Sequence, residues 1–354
     1  MPDGVGWRVV RMIAWIAIGI ASLVGTGWLF ARYTGGLDHA AELAGQLPPA
    51  RWVLVGALTV AFYGLDWLRY WTIFRLLDRP FPPALGFKLV TISYFVSSLT
   101  PSSELHLPVM VIMLVLAGYP VAEATAATIT KTIYMVFWVI TTGLVGLHLA
   151  GDGRVPALID DHLALWLITP GLIVGFLAML IFAPGPIHRL CARRLAKPTI
   201  GPRQRAFFEG LDKIPTAVGR IGKSLRPMHG AVHLASLAFI AVDVTIGHVL
   251  ATGVGVATDV QSSYSAFSTG MMVSYVAPVP GSIGVTEAAT AHLLDPAMSP
   301  PAMTAAILSR ISTWYAGAMV GAVLFVIELR KIGRVRFTRW LRDPEQAEAR
   351  DDKR

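Results

Sequence analysis

Ser274-Tyr275-Val276-Ala277-Pro278-Val279-Pro280-Gly281-Ser282-Ile283-Gly284-Val285-Thr286-Glu287 decides the fold. It lies inside an apolar region, yet within fourteen residues it carries two prolines, two glycines and a carboxylate. In hydrocarbon a continuous helix is the cheapest backbone, because every N–H and C=O is satisfied within the segment. A break at that depth is tolerated where protein buries it or where it lines a water-filled cavity. The stretch is therefore read as the broken tip of a helical hairpin and as the leading site candidate.

Around it, the composition is that of a membrane protein. Of 354 residues, 54% are hydrophobic and only 15% are charged, against roughly a quarter charged in soluble domains. The sequence predicts an all-α polytopic membrane protein. Runs of about 20 apolar residues cross a bilayer, and six are read, near residues 9–31, 52–74, 122–149, 163–183, 231–253 and 302–327. The first is expected to be an uncleaved span and not a signal peptide. Two further apolar regions, 85–118 and 260–294, are interrupted midway by proline and polar residues and are read as re-entrant hairpins of two half-helices.

The net charge of +8 could suggest nucleic acid, but the Lys and Arg gather between and after the apolar runs. Membrane orientation explains that pattern, and no nucleic-acid partner is expected. Residues 184–230 hold ten Lys or Arg against two acids, and residues 328–354 hold nine against six. By the positive-inside rule both termini and the 184–230 loop face the cytoplasm. All loops agree only if 85–118 enters from the cytoplasm and 260–294 from the opposite face, which predicts an inverted repeat. Ser93-Tyr94-Phe95-Val96 leading to Pro101 and Glu104 echoes Ser274-Tyr275-Val276-Ala277 leading to Pro280 and Glu287. The membrane domain is placed at residues 1–330, and the charged tail 331–354 is expected to be disordered. The stretch from Arg203 to Leu225 has helix-like apolar spacing, read either as an interfacial helix or as a plain basic connector.

Charged side chains inside spans are costly, so each is a functional candidate. Asp66 and Arg69, three apart, share a helix face and can neutralise one another, with Arg69 expected to snorkel toward the cytoplasm. In the first hairpin, Thr100 can cap a half-helix with Pro101 at its first position, followed by Ser102 and Glu104. Glu104 either complements that helix end or serves a polar cavity. In the second, Pro280, Gly281, Ser282 and Gly284 break the backbone, and Glu287 sits three residues after a glycine cap. The positive ends of such half-helices attract phosphate. Lys131 and Arg310 lie too deep to snorkel and need a carboxylate, a phosphate or a cavity, and Glu104, Glu287 and Asp243 are the natural partners, unless all of these form structural ion pairs. His248 and His292 could relay protons or be satisfied locally. The single cysteine, Cys191, excludes an intramolecular disulfide and a cysteine metal cluster. No nucleotide-binding, zinc-protease or serine-hydrolase motif is present, so no catalytic residue, metal or cofactor is expected.

The run Pro280-Gly281-Ser282-Ile283-Gly284-Val285-Thr286-Glu287 resembles a motif of the lysylphosphatidylglycerol synthase transmembrane-region family, also described as flippase-like, and Arg310 in Leu308-Ser309-Arg310-Ile311-Ser312 resembles an arginine of the span that follows it. The family's first motif is matched in part by Leu99-Thr100-Pro101-Ser102-Ser103-Glu104, without its glycine and arginine, and Thr130-Lys131 stands where a Glu-Arg pair is usual. The resemblance covers approximately residues 10–330. It implies a stand-alone translocator, without an aminoacyl-transfer domain, in a bacterial inner membrane. Its substrate would be a phospholipid or other lipid-linked amphiphile, and its protein partner a second copy or a lipid synthase. Substrate contacts are expected from Thr100, Pro101, Ser102, Glu104, Lys131, Pro280, Gly281, Ser282, Gly284, Glu287 and Arg310. The rival readings are a membrane enzyme acting on a lipid-linked cell-envelope substrate and an accessory protein of such an enzyme.

Overall fold

A computed structural model describes residues 37–99, 106–150, 171, 175, 185–196, 201–222, 227–277 and 279–334. The expected span 9–31, the span 163–183 apart from residues 171 and 175, the first hairpin's Thr100, Pro101, Ser102 and Glu104, and the tail beyond Arg334 lie outside these residues. The described secondary structure is helical: α1 (Leu37–Gly45), α2 (Pro49–Leu76), α3 (Pro83–Ser98), α4 (His106–Leu116), α5 (Val121–Ala150), α6 (Gly185–Leu195), α7 (Pro202–Gly222), α8 (Met228–Gly253), α9 (Val260–Val276), α10 (Val285–Leu294), α11 (Pro300–Arg310), a π-helical turn (Ile311–Tyr315) and α12 (Ala316–Arg334).

Four helical stretches among the described residues are long and apolar enough to cross a membrane: Pro49–Leu76, Val121–Ala150, Met228–Gly253 and Pro300–Leu329. These are the four expected spans that fall within the described residues, with ends shifted by no more than three positions. Proline sets several starts. Pro49 and Pro83 occupy first-turn positions of α2 and α3, where their fixed φ suits the helix and their missing N–H costs nothing. The helices of the interrupted regions are shorter. At 16, 11, 17 and 10 residues and 1.5 Å per residue, they reach from about 15 to 26 Å, less than the roughly 30 Å of a hydrocarbon core. The arms of each pair pack on each other, α3 on α4 and α9 on α10.

The order span, broken pair, span occurs twice: α2, α3/α4, α5 and then α8, α9/α10, α11–α12. The packing repeats with it. α2 lies along α8; α5 packs on α9 as α12 packs on α3; α2 touches α5 as α8 touches α11. Exchanging the two halves maps the α2–α8 contact onto itself and each of the others onto its counterpart, which is the packing of a two-fold internal repeat. Phe62 of α2 and Phe239 of α8 stack at 4.1 Å on the shared seam. The two crossed pairs rely on glycine: a Cβ on Gly143 of α5 would meet Met272 of α9 at 2.5 Å, and one on Gly321 of α12 would meet the Thr91 carbonyl oxygen of α3 at 2.0 Å.

Most of the stretch 203–225 forms the helix α7, whose described residues end at 222. Val218 and Ile221 are buried and α7 packs on α5, so protein covers the C-terminal part of the apolar face that the amphipathic spacing announced. Its partner helix α6 is tied to it by a His188–Asp212 contact of 2.7 Å.

Candidate functional site

A cavity of about 640 Å³ lies between the two halves, bordered by α2, α3, α4, α5, α8, α9, α10, α11 and the π turn. Its wall carries Asp66, Arg69, Lys131, Asp243 and Arg310 among aromatic and hydroxyl side chains. The five charged groups belong to spans of both repeats, and they form two dissimilar clusters.

Among the described residues, the first cluster has one acid and two cations. Asp66, 3% exposed, accepts from Arg69 Nη1 at 2.8 Å and from Lys131 Nζ at 2.9 Å. Arg69 also donates through Nη2 to the Lys131 carbonyl oxygen at 3.2 Å. Its Nε is buried with no hydrogen-bond partner among the described residues. The guanidinium lies over Phe239 at 5.3 Å, and the Lys131 ammonium over Tyr70 at 4.3 Å. Arg69 does not snorkel: it is 2% exposed, because Asp66 and the Lys131 carbonyl satisfy it inside the protein.

The second cluster is built on the hairpin tip. Ala277 leaves α9 in an extended conformation, φ −63° and ψ 125°, as expected of a residue that precedes proline. Gly281 and Gly284 then take φ of 58° and 85°, a region open to glycine at little cost. The backbone returns as α10, with Gly284 as its N-cap. Glu287, the third residue of α10 and 3% exposed, turns back to accept from the Gly284 N–H at 2.7 Å. Its other oxygen accepts from the Tyr315 hydroxyl at 2.6 Å and from Arg310 Nε at 3.4 Å. Arg310 Nη2 donates to the Gly281 carbonyl oxygen at 2.8 Å, and its guanidinium lies 4.6 Å from the Trp314 ring. The positive helix end that could draw a phosphate is thus occupied by the chain's own carboxylate.

The π turn after Arg310 explains how one helix presents Arg310, Trp314 and Tyr315 together. A π turn inserts one extra residue into the i→i−4 ladder and frees backbone groups. Here the Tyr63 hydroxyl of α2 donates to the Thr313 carbonyl oxygen at 3.0 Å and accepts from the Gly317 N–H at 2.7 Å. Trp314 Nε1 donates to Ser98 Oγ at the end of α3 at 2.8 Å, which fixes the π turn to the other hairpin.

Of the residues expected from sequence, Lys131 and Arg310 stand on the cavity wall. Pro280, Gly281, Ser282, Gly284 and Glu287 form the tip that fixes Arg310 and are not on that wall. The Ser282 hydroxyl donates to the Ser274 carbonyl oxygen, closing the tip on the end of α9. Glu287 pairs with Arg310 as anticipated. Lys131 takes Asp66 as its partner. His248 is satisfied by Ser263 at 2.9 Å. Sequence reasoning missed the ligating roles of Tyr63, Trp314 and Tyr315, and it placed Asp66 and Arg69 away from the site. The deep lysine was the available signal for Asp66: an ammonium that cannot reach water requires an acid on a neighbouring span.

A family model described as the lysylphosphatidylglycerol synthase TM region matches residues 13–321. No curated protein and no solved structure matches the chain.

Proposed function

The chain belongs to the lysylphosphatidylglycerol synthase transmembrane-region family, and from that premise we propose that it is a flippase-like transporter, moving a phospholipid or other lipid-linked amphiphile between membrane leaflets. Family membership makes it a helical membrane protein with a lipid-related role. The observation that carries the finer reading is the cavity between the two repeats, with three basic side chains of membrane spans on its wall. A phosphate headgroup entering that space meets Lys131 and Arg69, which among the described residues share a single carboxylate and so leave one positive charge over. It also meets Arg310, held in place by the Gly281 carbonyl and Glu287.

The loop charges support an orientation with both termini and the 184–230 segment in the cytoplasm of a bacterial inner membrane. In that orientation the hairpins 85–118 and 260–294 enter from opposite sides, and the repeat is inverted. Rocking of one half against the other would expose the shared cavity to each leaflet in turn.

The test is transfer of fluorescent phosphatidylglycerol in proteoliposomes, scored by quenching of the outer leaflet. Glu287→Gln and Arg310→Ala, each purified as monodisperse protein, are expected to abolish transfer. Unaltered transfer in both sinks the assignment, and chemical conversion of the probe lipid in the same vesicles would favour the enzyme reading instead.

A further inference from the structure

Among the described residues, three carboxylates belong to the clusters around the cavity, and they are not equally provided for. Asp66 has two cations and Glu287 has Arg310, Tyr315 and a backbone N–H. Asp243, in the middle of α8, is 8% exposed, lies on the cavity wall and makes no ion pair with any described residue. Its side-chain neighbour is the Thr313 hydroxyl, whose single proton goes to the Ser309 carbonyl oxygen at 3.0 Å. Arg310 is the cation that bears on it, and that guanidinium is already engaged by Glu287 and the Gly281 carbonyl.

We propose that Asp243 is a proton-binding site, and that it takes a proton from water on one side of the membrane and returns it on the other together with the transported anionic headgroup. This rests on the translocator reading. A carboxylate out of water without a counter-ion is costly, so something must neutralise it. A hard metal ion calls for several oxygen ligands, and one placed here would face the Arg310 guanidinium. A proton needs no such shell.

The groups facing Asp243 leave that role open. From α11 there is Arg310, and from α9 and α2 come the phenols Tyr275 and Tyr63. Asp66 and Arg69 of α2 and Lys131 of α5 lie on the same cavity wall, paired with one another. A monoanionic headgroup held by Arg69 and Lys131 adds negative charge to the cavity and favours the proton on Asp243. By linkage, the proton favours the headgroup equally. One negative and one positive charge then cross together, with no net charge moved.

In phosphatidylglycerol/phosphatidylcholine proteoliposomes, the wild type is expected to accumulate fluorescent phosphatidylglycerol in the leaflet facing the alkaline side. One proton per lipid gives a steady-state ratio of about tenfold per pH unit. A potassium diffusion potential or a sodium gradient should leave the ratio at one, and D243N should show a ratio of one under every gradient. A pH response kept by D243N overturns the proposal, as does a wild type driven by sodium or by potential, or one indifferent to pH. Loss of transfer in D243N confined to amine-bearing lipids would give the carboxylate to the headgroup instead. Should no lipid move even in the wild type, the translocator reading fails and infrared difference spectroscopy of the purified protein decides for Asp243 alone. A protonated-carboxyl band that fades on raising pH and is missing from D243N supports proton binding; its absence from the wild type overturns it.

Discussion

The two repeats share an architecture and differ in how they charge it. Lys131 and Arg310 are each the eleventh residue of the helix that follows a broken pair. Lys131 sits in an uninterrupted α-helix, whereas Arg310 is followed by the π turn. Among the described residues of the first repeat, one acid serves two cations. In the second, one cation faces two acids, and Glu287 takes it. Among the described residues, a duplicated scaffold therefore flanks the cavity with one cation-rich cluster and one acid-rich cluster. The basic residue has opposite roles on the two sides: Arg310 completes the neutralisation of a buried acid, while Lys131 exceeds what its acid needs.

The largest effect should come from removing the acid that both cations of the first repeat share. Breaking a buried ion pair by deleting one partner costs about 3–5 kcal/mol, since the remaining charge is stranded. Asp66→Ala strands two, Arg69 and Lys131, beside each other. The expected outcome is loss of monodisperse protein in detergent. A variant that elutes and melts like the wild type would show that these cations are neutralised by something other than Asp66.

Arg310→Met comes next. It leaves Glu287 with Tyr315 and the Gly284 N–H but without a counter-charge, and about 3–5 kcal/mol should be lost, read as a lowered melting temperature. The double variant with Glu287→Gln should recover part of that loss, because a neutral amide does not need the guanidinium. A cycle with no coupling between the two positions would mean that the pair is incidental, and the contrast between the repeats would collapse.

How far this contrast was legible depends on whether the relevant contact is local in sequence. The second tip was readable because prolines and glycines interrupt an apolar run, and the Gly284–Glu287 cap spans three residues. The Glu287–Arg310 pair was legible from the rule that a deep arginine needs an acid. The repeat itself was inferred from the loop charges and showed in the residues only as an echo between Ser93-Tyr94 and Ser274-Tyr275, because packing preserves the order and contacts of helices more than side-chain identity. The Asp66–Lys131 pair joins positions 65 residues apart, and a local reading matched Asp66 to Arg69 three residues on and sent Arg69 to the surface. The π turn has no local sign at all. It exists because Tyr63, 250 residues away from Thr313, satisfies the carbonyl and N–H that the extra residue frees.

The smallest expected change in stability is also the most discriminating. Lys131→Met leaves Asp66 and Arg69 as a one-to-one pair at 2.8 Å, so no buried charge is stranded. Methionine is unbranched, like the lysine stem, and would replace its contact with the Tyr70 ring with a sulfur–aromatic one. Replacing buried charge by an apolar group of similar volume is often neutral or stabilising, and the melting temperature should move by no more than about 1 kcal/mol would allow. Transfer of an anionic probe, by contrast, should be lost, since the uncompensated positive charge of the first repeat is gone. The same substitution at Arg310 costs both stability and transfer. If Lys131→Met instead unfolds the protein, the lysine is a structural counter-ion like Arg310, and the charge surplus offered to a headgroup does not exist. If it folds and still moves the lipid, the surplus exists and the headgroup does not use it.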